Sequence, residues 1–231
     1  MKIEKLSLPD SAIEFLKSQG YEKLYPPQAD CMKSGLLDGK SILVSAPTAS
    51  GKTLIAMIAM LNYLSKHKGK VIYLSPLRAL AAEKFTEFKK LEKISIGKKI
   101  KTSISTGDFE HIEKNLENSN VLILTNEKMD SIIRHGAEWI EDIGLVISDE
   151  IHLIGDESRG PTLEMILTHL KLLDNTPQII GLSATITNSN EIADWLDCKL
   201  VKNDWRPVPL SEGVCDGGQV TMSDGETFEV K

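Results

Sequence analysis

The chain has 231 residues, with 27 Lys and Arg against 33 Asp and Glu and a formal net charge of −6. Its 41% hydrophobic and 26% charged content is that of a soluble globular domain, long enough for one large domain or two small ones. With no run of about 18 uncharged apolar residues, a membrane span is disfavoured, and the acidic balance argues against coating nucleic acid by bulk attraction while leaving room for a local basic track.

Residues 1–40 read as a helical segment, with "YPPQ" (Tyr25 to Gln28) in a connecting loop. The apolar run "SILVSA" (Ser41 to Ala46) is continuous rather than alternating, as in a strand buried on both faces of a parallel sheet. It leads into "APTASGKT", which fits the phosphate-loop pattern except that Ala46 stands where the strict form has glycine. In that reading Ala46, Pro47, Thr48, Ala49, Ser50 and Gly51 form the loop, and Gly51 lets the backbone come close to the phosphates. Successive amides and a helix N-terminus, beginning at about Gly51, supply donors and positive potential for an anion. Lys52 would meet the β- and γ-phosphates, and the Thr53 hydroxyl would ligate Mg²⁺. The following "TLIAMIAMLNYLS" is apolar almost all round and predicts a buried helix packed on the sheet.

A second strand, "VIYLSP" (Val71 to Pro76), precedes "LRALAAEKFTEFKKL", whose Leu77, Leu80, Ala81, Lys84, Phe85 and Phe88 recur at helical spacing as an apolar stripe with a lysine-bearing rim. From Lys84 to Lys101 there are seven lysines and two glutamates, read as a solvated face, with contact to a nucleic-acid groove as the minority reading. "IKTSIST" (Ile100 to Thr106) is a more polar strand expected nearer an edge, and "VLILT" (Val121 to Thr125) is another buried strand. "LVISDEIH" ends a strand on Asp149, Glu150 and His152. Carboxylates at the C-terminal edge of such a strand point into the crevice where open α/β sheets bind ligands. Asp149 can hold Mg²⁺, and Glu150 can orient and deprotonate an attacking water, a pair that favours hydrolysis over the transfer to an acceptor hydroxyl that a kinase performs. His152 alone is as readily a turn residue as a coupling one. "GPTLEMILTHLKLL" starts a helix on proline, "IIGLSAT" (Ile179 to Thr185) is a further strand, and the tail carries two Asp-Gly signals of a hairpin or ribbon. Strands alternating with helices predict a doubly wound α/β domain with a mostly parallel sheet and helices on both faces.

Taken in order, these segments resemble superfamily 2 helicases and translocases. "DEIH" is similar to their DExH box, "YPPQ" to the adenine-reading glutamine motif, "SPLRALAAEK" to a motif that touches the nucleic-acid backbone, and "SAT" (Ser183 to Thr185) to the motif coupling the two sites. The longer phrases "STGDFE", "LTNEKMDSIIR", "DEIHLIGDESRGPTLE", "IIGLSATITNSNEIADWL" and "DWRPVPLSEGV" resemble the superkiller-like branch, and within it the archaeal Holliday-junction-migration DNA helicases. The resemblance implies a RecA-like P-loop NTPase domain using ATP and Mg²⁺. Gln28 would read the adenine edge, and Pro76, Leu77, Arg78, Thr106, Gly107, Thr125 and Asn126 would line a single strand, with Lys128 a weaker member. Arg78, taken alone, is also an ordinary helix N-terminal charge. Ser183 and Thr185 would bridge to the DExH segment. Binding would follow sugar and phosphate rather than base identity.

The resemblance divides the chain into a helical segment at 1–40, a motor domain at 41–205 and a linker with ribbon at 206–231. The family's second RecA-like domain would follow "RPVPLSEGV", so the chain is expected to be the first motor domain of a longer protein, by itself binding Mg²⁺-ATP weakly, hydrolysing it very slowly and separating no strands. That protein would be a 3′-to-5′ ATP-dependent DNA helicase of repair and recombination, acting on single-stranded or forked DNA. A superkiller-type RNA helicase domain and a nucleotide-binding module without turnover are the alternatives. Cys31, Cys198 and Cys215 lack metal-ligand spacing and the N-terminus lacks the apolar core of a secretory signal, so free thiols and a cytoplasmic location are expected.

Overall fold

The computed structural model describes residues 1–107 and 116–229. Among the described residues, seven strands form one parallel sheet: β1 (Ile42–Ser45), β2 (Lys70–Ser75), β3 (Thr102–Ser105), β4 (Val121–Thr125), β5 (Ile143–Ser148), β6 (Gln178–Ser183) and β7 (Lys199–Lys202). Their spatial order is β3-β4-β2-β5-β6-β1-β7, with every neighbouring pair parallel. β1, β2 and β4 are buried at every residue, as continuous Ile, Leu and Val runs require. The more polar β3 lies at one edge, where expected. β7 forms the other edge and was not expected, since only Val201 of "KLVK" is buried.

Each face of the sheet carries its own core. One face takes α1 (Asp10–Ser18), α2 (Pro26–Lys33), α3 (Lys52–Lys66) and α4 (Arg78–Phe88), with Leu16, Leu36, Ile55, Ile58, Leu61 and Phe88 packed on Tyr73 and Ile147. The other face takes α5 (Asn126–His135), α6 (Gly160–Lys171) and α7 (Ser189–Leu196), with Met129, Ile166, Leu167, Leu170 and Ile192 on Ile72 and Val146. Residues Ile3 to Leu36 thus bury their apolar side chains in the same core as the sheet. α6 starts as expected, with proline in its first turn.

"YPPQ" is not in a connecting loop. Pro26 and Pro27 occupy the first positions of α2, where a missing N–H costs nothing and the fixed φ suits a helix, and Gln28 closes the turn by accepting from the Tyr25 amide at 2.8 Å. Beyond β7 the chain returns over this helix: Asn203 Nδ2 donates to Asp30 Oδ2 at 2.9 Å, and Trp205 meets Tyr25 with ring centroids 4.5 Å apart. The tail exceeds a hairpin, forming an antiparallel three-stranded sheet from β8 (Gly213–Asp216), β9 (Gln219–Met222) and β10 (Thr227–Glu229), mostly solvent-exposed. Cys31, Cys198 and Cys215 are free thiols. No helix among the described residues is long and apolar enough to cross a membrane.

Candidate nucleotide and nucleic-acid sites

The residues singled out in the sequence gather beyond the C-terminal ends of the parallel strands, as connections out of an open α/β sheet place them. The turn from β1 into α3 holds the phosphate-loop residues. Gly51 caps α3 at φ +80°, a conformation that favours glycine, and a Cβ there would stand 2.2 Å from Gln28 Nε2 and so displace the Gln28 amide. Ala49 also takes a left-handed conformation, at φ +65°. Ala46 is fully buried but is not among the residues at positive φ, so its methyl group sits there without backbone strain. Ser50 is buried with no hydrogen-bond partner for its Oγ.

Lys52 donates to the carbonyls of Ala46 at 2.9 Å and Pro47 at 3.1 Å. Burial lowers its pKa, against the raising influence of Glu150 and Asp149, so both carboxylates act on the ammonium electrostatically. Asp149 follows the last residue of β5 and its amide donates to Leu74 O at 3.0 Å. Its carboxylate is fixed from two sides, by the Glu150 amide on Oδ1 at 3.0 Å and the Tyr73 hydroxyl on Oδ2 at 2.6 Å. Tyr73 pairs with Ile147 across β2 and β5, so the period of two puts Tyr73 and Asp149 on one face. Burial first, then the Asp149 carboxylate, push the Tyr73 hydroxyl well above the usual tyrosine range and keep it a donor. Glu150 has φ +48° and ψ +44°, a conformation that costs a non-glycine residue about 1 kcal/mol and turns the chain sharply at the strand end. His152 Nδ1 comes within 3.3 Å of Glu150 Oε2, at ion-pair range but outside hydrogen-bond geometry.

This donor set fits a magnesium-bound triphosphate. It has an orphaned buried hydroxyl, a loop with a left-handed glycine at the helix start, a cation held by neutral carbonyls, and hard oxygens on Thr53 and Asp149. Beside it, a cleft of about 480 Å³ is lined by Tyr21, Tyr25, Gln28, Gly51, Thr53 and Glu87, among others. Gln28 is 2% exposed, and its Nε2 donates to Gly51 O at 3.0 Å while its Oε1 serves the Tyr25 amide. One N–H and one lone pair of the amide remain for a ligand in that cleft.

A second cleft, of about 330 Å³, is lined by Pro76, Leu77, Arg78, Thr106, Gly107, Thr125, Glu127, Lys128 and Arg159. Six of the seven residues expected along a single strand thus line one surface. Asn126 is the exception: it is 4% exposed and opens α5, while Thr125 caps that helix by accepting from the Lys128 amide at 3.3 Å. Of "STGDFE", residues Asp108 to Glu110 lie outside the described residues. Arg159 was not anticipated. Asp156 Oδ1 accepts from the Ser158 amide and hydroxyl and the Arg159 amide, at 2.9, 2.6 and 2.9 Å, a tight turn that sets Arg159 just ahead of α6. Its position before the Gly-Pro helix start was the readable signal. Tyr73 had one too, because a tyrosine inside a doubly buried strand must find an acceptor.

The "SAT" segment lies between the two strands that lead into the phosphate loop and the DExH segment. Among the described residues its hydrogen bonds run to the phosphate-loop strand, with the Ala46 amide donating to Ser183 O at 3.2 Å and Ser45 Oγ to Ala184 O at 3.5 Å. β6 lies between β5 and β1, so its end abuts the loop at the end of β1, while Ser183 Oγ is buried with no hydrogen-bond partner and Thr185 is exposed.

Residues 25–192 match the DEAD/DEAH box helicase family. The chain belongs to that family. It is 49% identical over 227 residues to the ATP-dependent DNA helicase Hel308 of Pyrococcus horikoshii, covering 98% of this chain and 31% of that protein. The Thermococcus kodakarensis Hel308 is 46% identical, over 98% of this chain and 20% of its own length. The chain therefore spans under a third of these relatives. Among solved structures, Mycobacterium smegmatis helicase Lhr bound to ssDNA and AMP-PNP superposes with a TM-score of 0.74 at 27% identity, over 88% of this chain and 28% of that one. The DUF1998 helicase MrfA shares the fold, with a TM-score of 0.70 at 24% identity over 85% of this chain and 33% of that one.

Proposed function

We propose that the chain is the first motor domain of an ATP-dependent DNA helicase, binding Mg²⁺-ATP at the phosphate loop and a single nucleic-acid strand in the arginine-lined cleft. The observation that carries this reading is the phosphate loop with Asp149 and Glu150 on one sheet edge, in a chain 49% identical to a DNA helicase. Lys52 leaves its two carbonyl partners for the β- and γ-phosphates, and the loop amides with the N-terminus of α3 take the phosphate oxygens. Thr53 and Asp149 would hold the metal, which supplies charge neutralisation at the phosphates. Glu150 orients and deprotonates the attacking water, and Gln28 offers its free N–H and lone pair to the adenine edge. In the second cleft Arg78 and Arg159 take phosphates. A 3′-to-5′ polarity, forked substrates, a second RecA-like domain, a cytoplasmic setting and a role in repair and recombination are proposed on the sequence resemblance alone. The division of the sequence at 40 and 205 into helical segment, motor domain and linker belongs to the same proposal, with Ile3 to Leu36 packed into the motor domain's core.

Equilibrium binding of a fluorescent ATP analogue tests the reading. Lys52→Ala is expected to weaken binding at least about tenfold and Glu150→Gln to leave it intact while stopping phosphate release. Normal affinity in the Lys52 variant would overturn it. The RNA alternative is tested by titrating DNA and RNA single strands of one sequence, with tighter DNA binding expected.

A further inference from the structure

Lys84 belongs to a lysine-rich run whose sequence reads as a solvated face, and the structure corrects that reading for this residue. Its side chain is 12% exposed and turned inward from α4. The three ammonium N–H donors meet three oxygens: Thr53 Oγ1 at 3.1 Å, Glu83 Oε1 at 3.2 Å and Glu87 Oε2 at 3.4 Å. Burial lowers its pKa, but Glu87 and Glu83 outweigh that and raise it, so the group is a fixed cation. Thr53 is the hydroxyl assigned above to the metal, and no step of the proposed reaction uses Lys84.

From this contact we infer that Lys84 is a positioning residue that serves as a surrogate cation on Thr53 and yields that hydroxyl to Mg²⁺ when the metal nucleotide binds. The inference rests on the nucleotide reading above and adds a regulating group to it. A Mg²⁺ ion bonds such an oxygen at about 2.1 Å. With the ammonium 3.1 Å from the same oxygen, the two cations would lie within about 5 Å and repel. Glu83 and Glu87 also hold the ammonium, at 3.2 and 3.4 Å, and keep it paired when it leaves Thr53. Without metal, the ammonium stands near the phosphate loop as the positive charge that a free nucleotide's phosphates attract. Lys84 thus lowers the advantage that Mg²⁺ gives to nucleotide binding.

The test is the ratio of affinities for a fluorescent ADP measured in excess Mg²⁺ and in EDTA. Lys84→Met is expected to raise this ratio about fivefold, the size of one lost hydrogen bond. Glu87→Gln removes a carboxylate that draws the ammonium away, so the ratio is expected to fall by about twofold or more. Opposite signs separate this role from loss of structure, which lowers both affinities together. If Lys84→Met does not fold, Glu87→Gln decides alone. Ratios unmoved in the folded variants overturn the role of Lys84 while leaving the phosphate loop in place. Absence of Lys52-dependent binding in the unaltered chain overturns both.

Discussion

Replacing Tyr73 with phenylalanine removes one oxygen from the middle of the sheet and tests whether the fold itself aims the Asp149 carboxylate. The tyrosine is fully buried, packs edge-on against Phe88 with centroids 5.0 Å apart, and donates to Asp149 Oδ2 at 2.6 Å. Phenylalanine keeps the ring and its packing, so no cavity opens and only the hydrogen bond is lost. A hydrogen bond to a charged acceptor contributes about 1.5–3 kcal/mol. Asp149 retains the Glu150 amide on its other oxygen and lies at a strand end, which points to the lower figure, about 1.5 kcal/mol. In a chain of this length, the drop in Tm is then roughly 3–6 °C. The freed carboxylate also rotates. Groups that orient a metal-binding residue change metal affinity by about 10–100-fold, so the Mg²⁺ needed for half-maximal nucleotide binding should rise about tenfold. Thermal unfolding and a Mg²⁺ titration of nucleotide fluorescence measure the two effects separately. A lowered Tm with unchanged Mg²⁺ dependence would refute the orienting role, and no change in either would refute the energetic argument.

Gly51→Ala puts a methyl group at φ +80° and displaces the Gln28 amide, so a loss of about 1–2 kcal/mol and weaker nucleotide binding are expected; native-like stability in urea would contradict this. Arg78→Ala and Arg159→Ala should each weaken single-strand binding equally across base sequences and reduce the log-log salt slope by about 0.7, read by fluorescence anisotropy between low and moderate salt. Alkaline unfolding should also report Tyr73. Burial and then Asp149 hold its proton well above the ordinary pKa of about 10, so above that pH the unfolded chain releases a proton that the fold retains, and stability falls as pH rises. Tyr73→Phe should flatten that decline in urea melts above pH 10, and parallel curves for the two proteins would count against it.

The sheet was legible because strands buried on both faces leave unbroken aliphatic runs, and "SILVSA", "VIYLSP" and "VLILT" became β1, β2 and β4. β7 was not, because an edge strand with one buried residue carries no such signal. The proline pair before Gln28 suits a turn and a helix start equally, and only packing against the phosphate loop decided for α2. The closeness of Lys52 to Asp149 and Glu150 was legible, because both segments read as strand ends of one parallel sheet. Lys84 was not, since its meaning depends on Thr53, a residue on another helix. Asn126 read as a strand-facing polar residue, yet as the first residue of α5 it turns inward. Arg159 depended on a turn held by one aspartate, a contact that charge patterning does not reveal.

These contacts converge on one stretch of chain. Tyr73 in β2 holds Asp149, Pro76 to Arg78 line the second cleft, and Lys84 reaches Thr53 from about 9 Å farther along α4. The two parts differ in stiffness. β2 is hydrogen-bonded between β4 and β5 and buried at all its residues, so it cannot slide without breaking two ladders. In α4 only Ala81 and Phe88 are buried, and its start at Arg78 is exposed. The inferred release of Lys84 from Thr53 thus acts on the helix whose first residue, Arg78, lines the second cleft, while Tyr73 holds Asp149 from the strand.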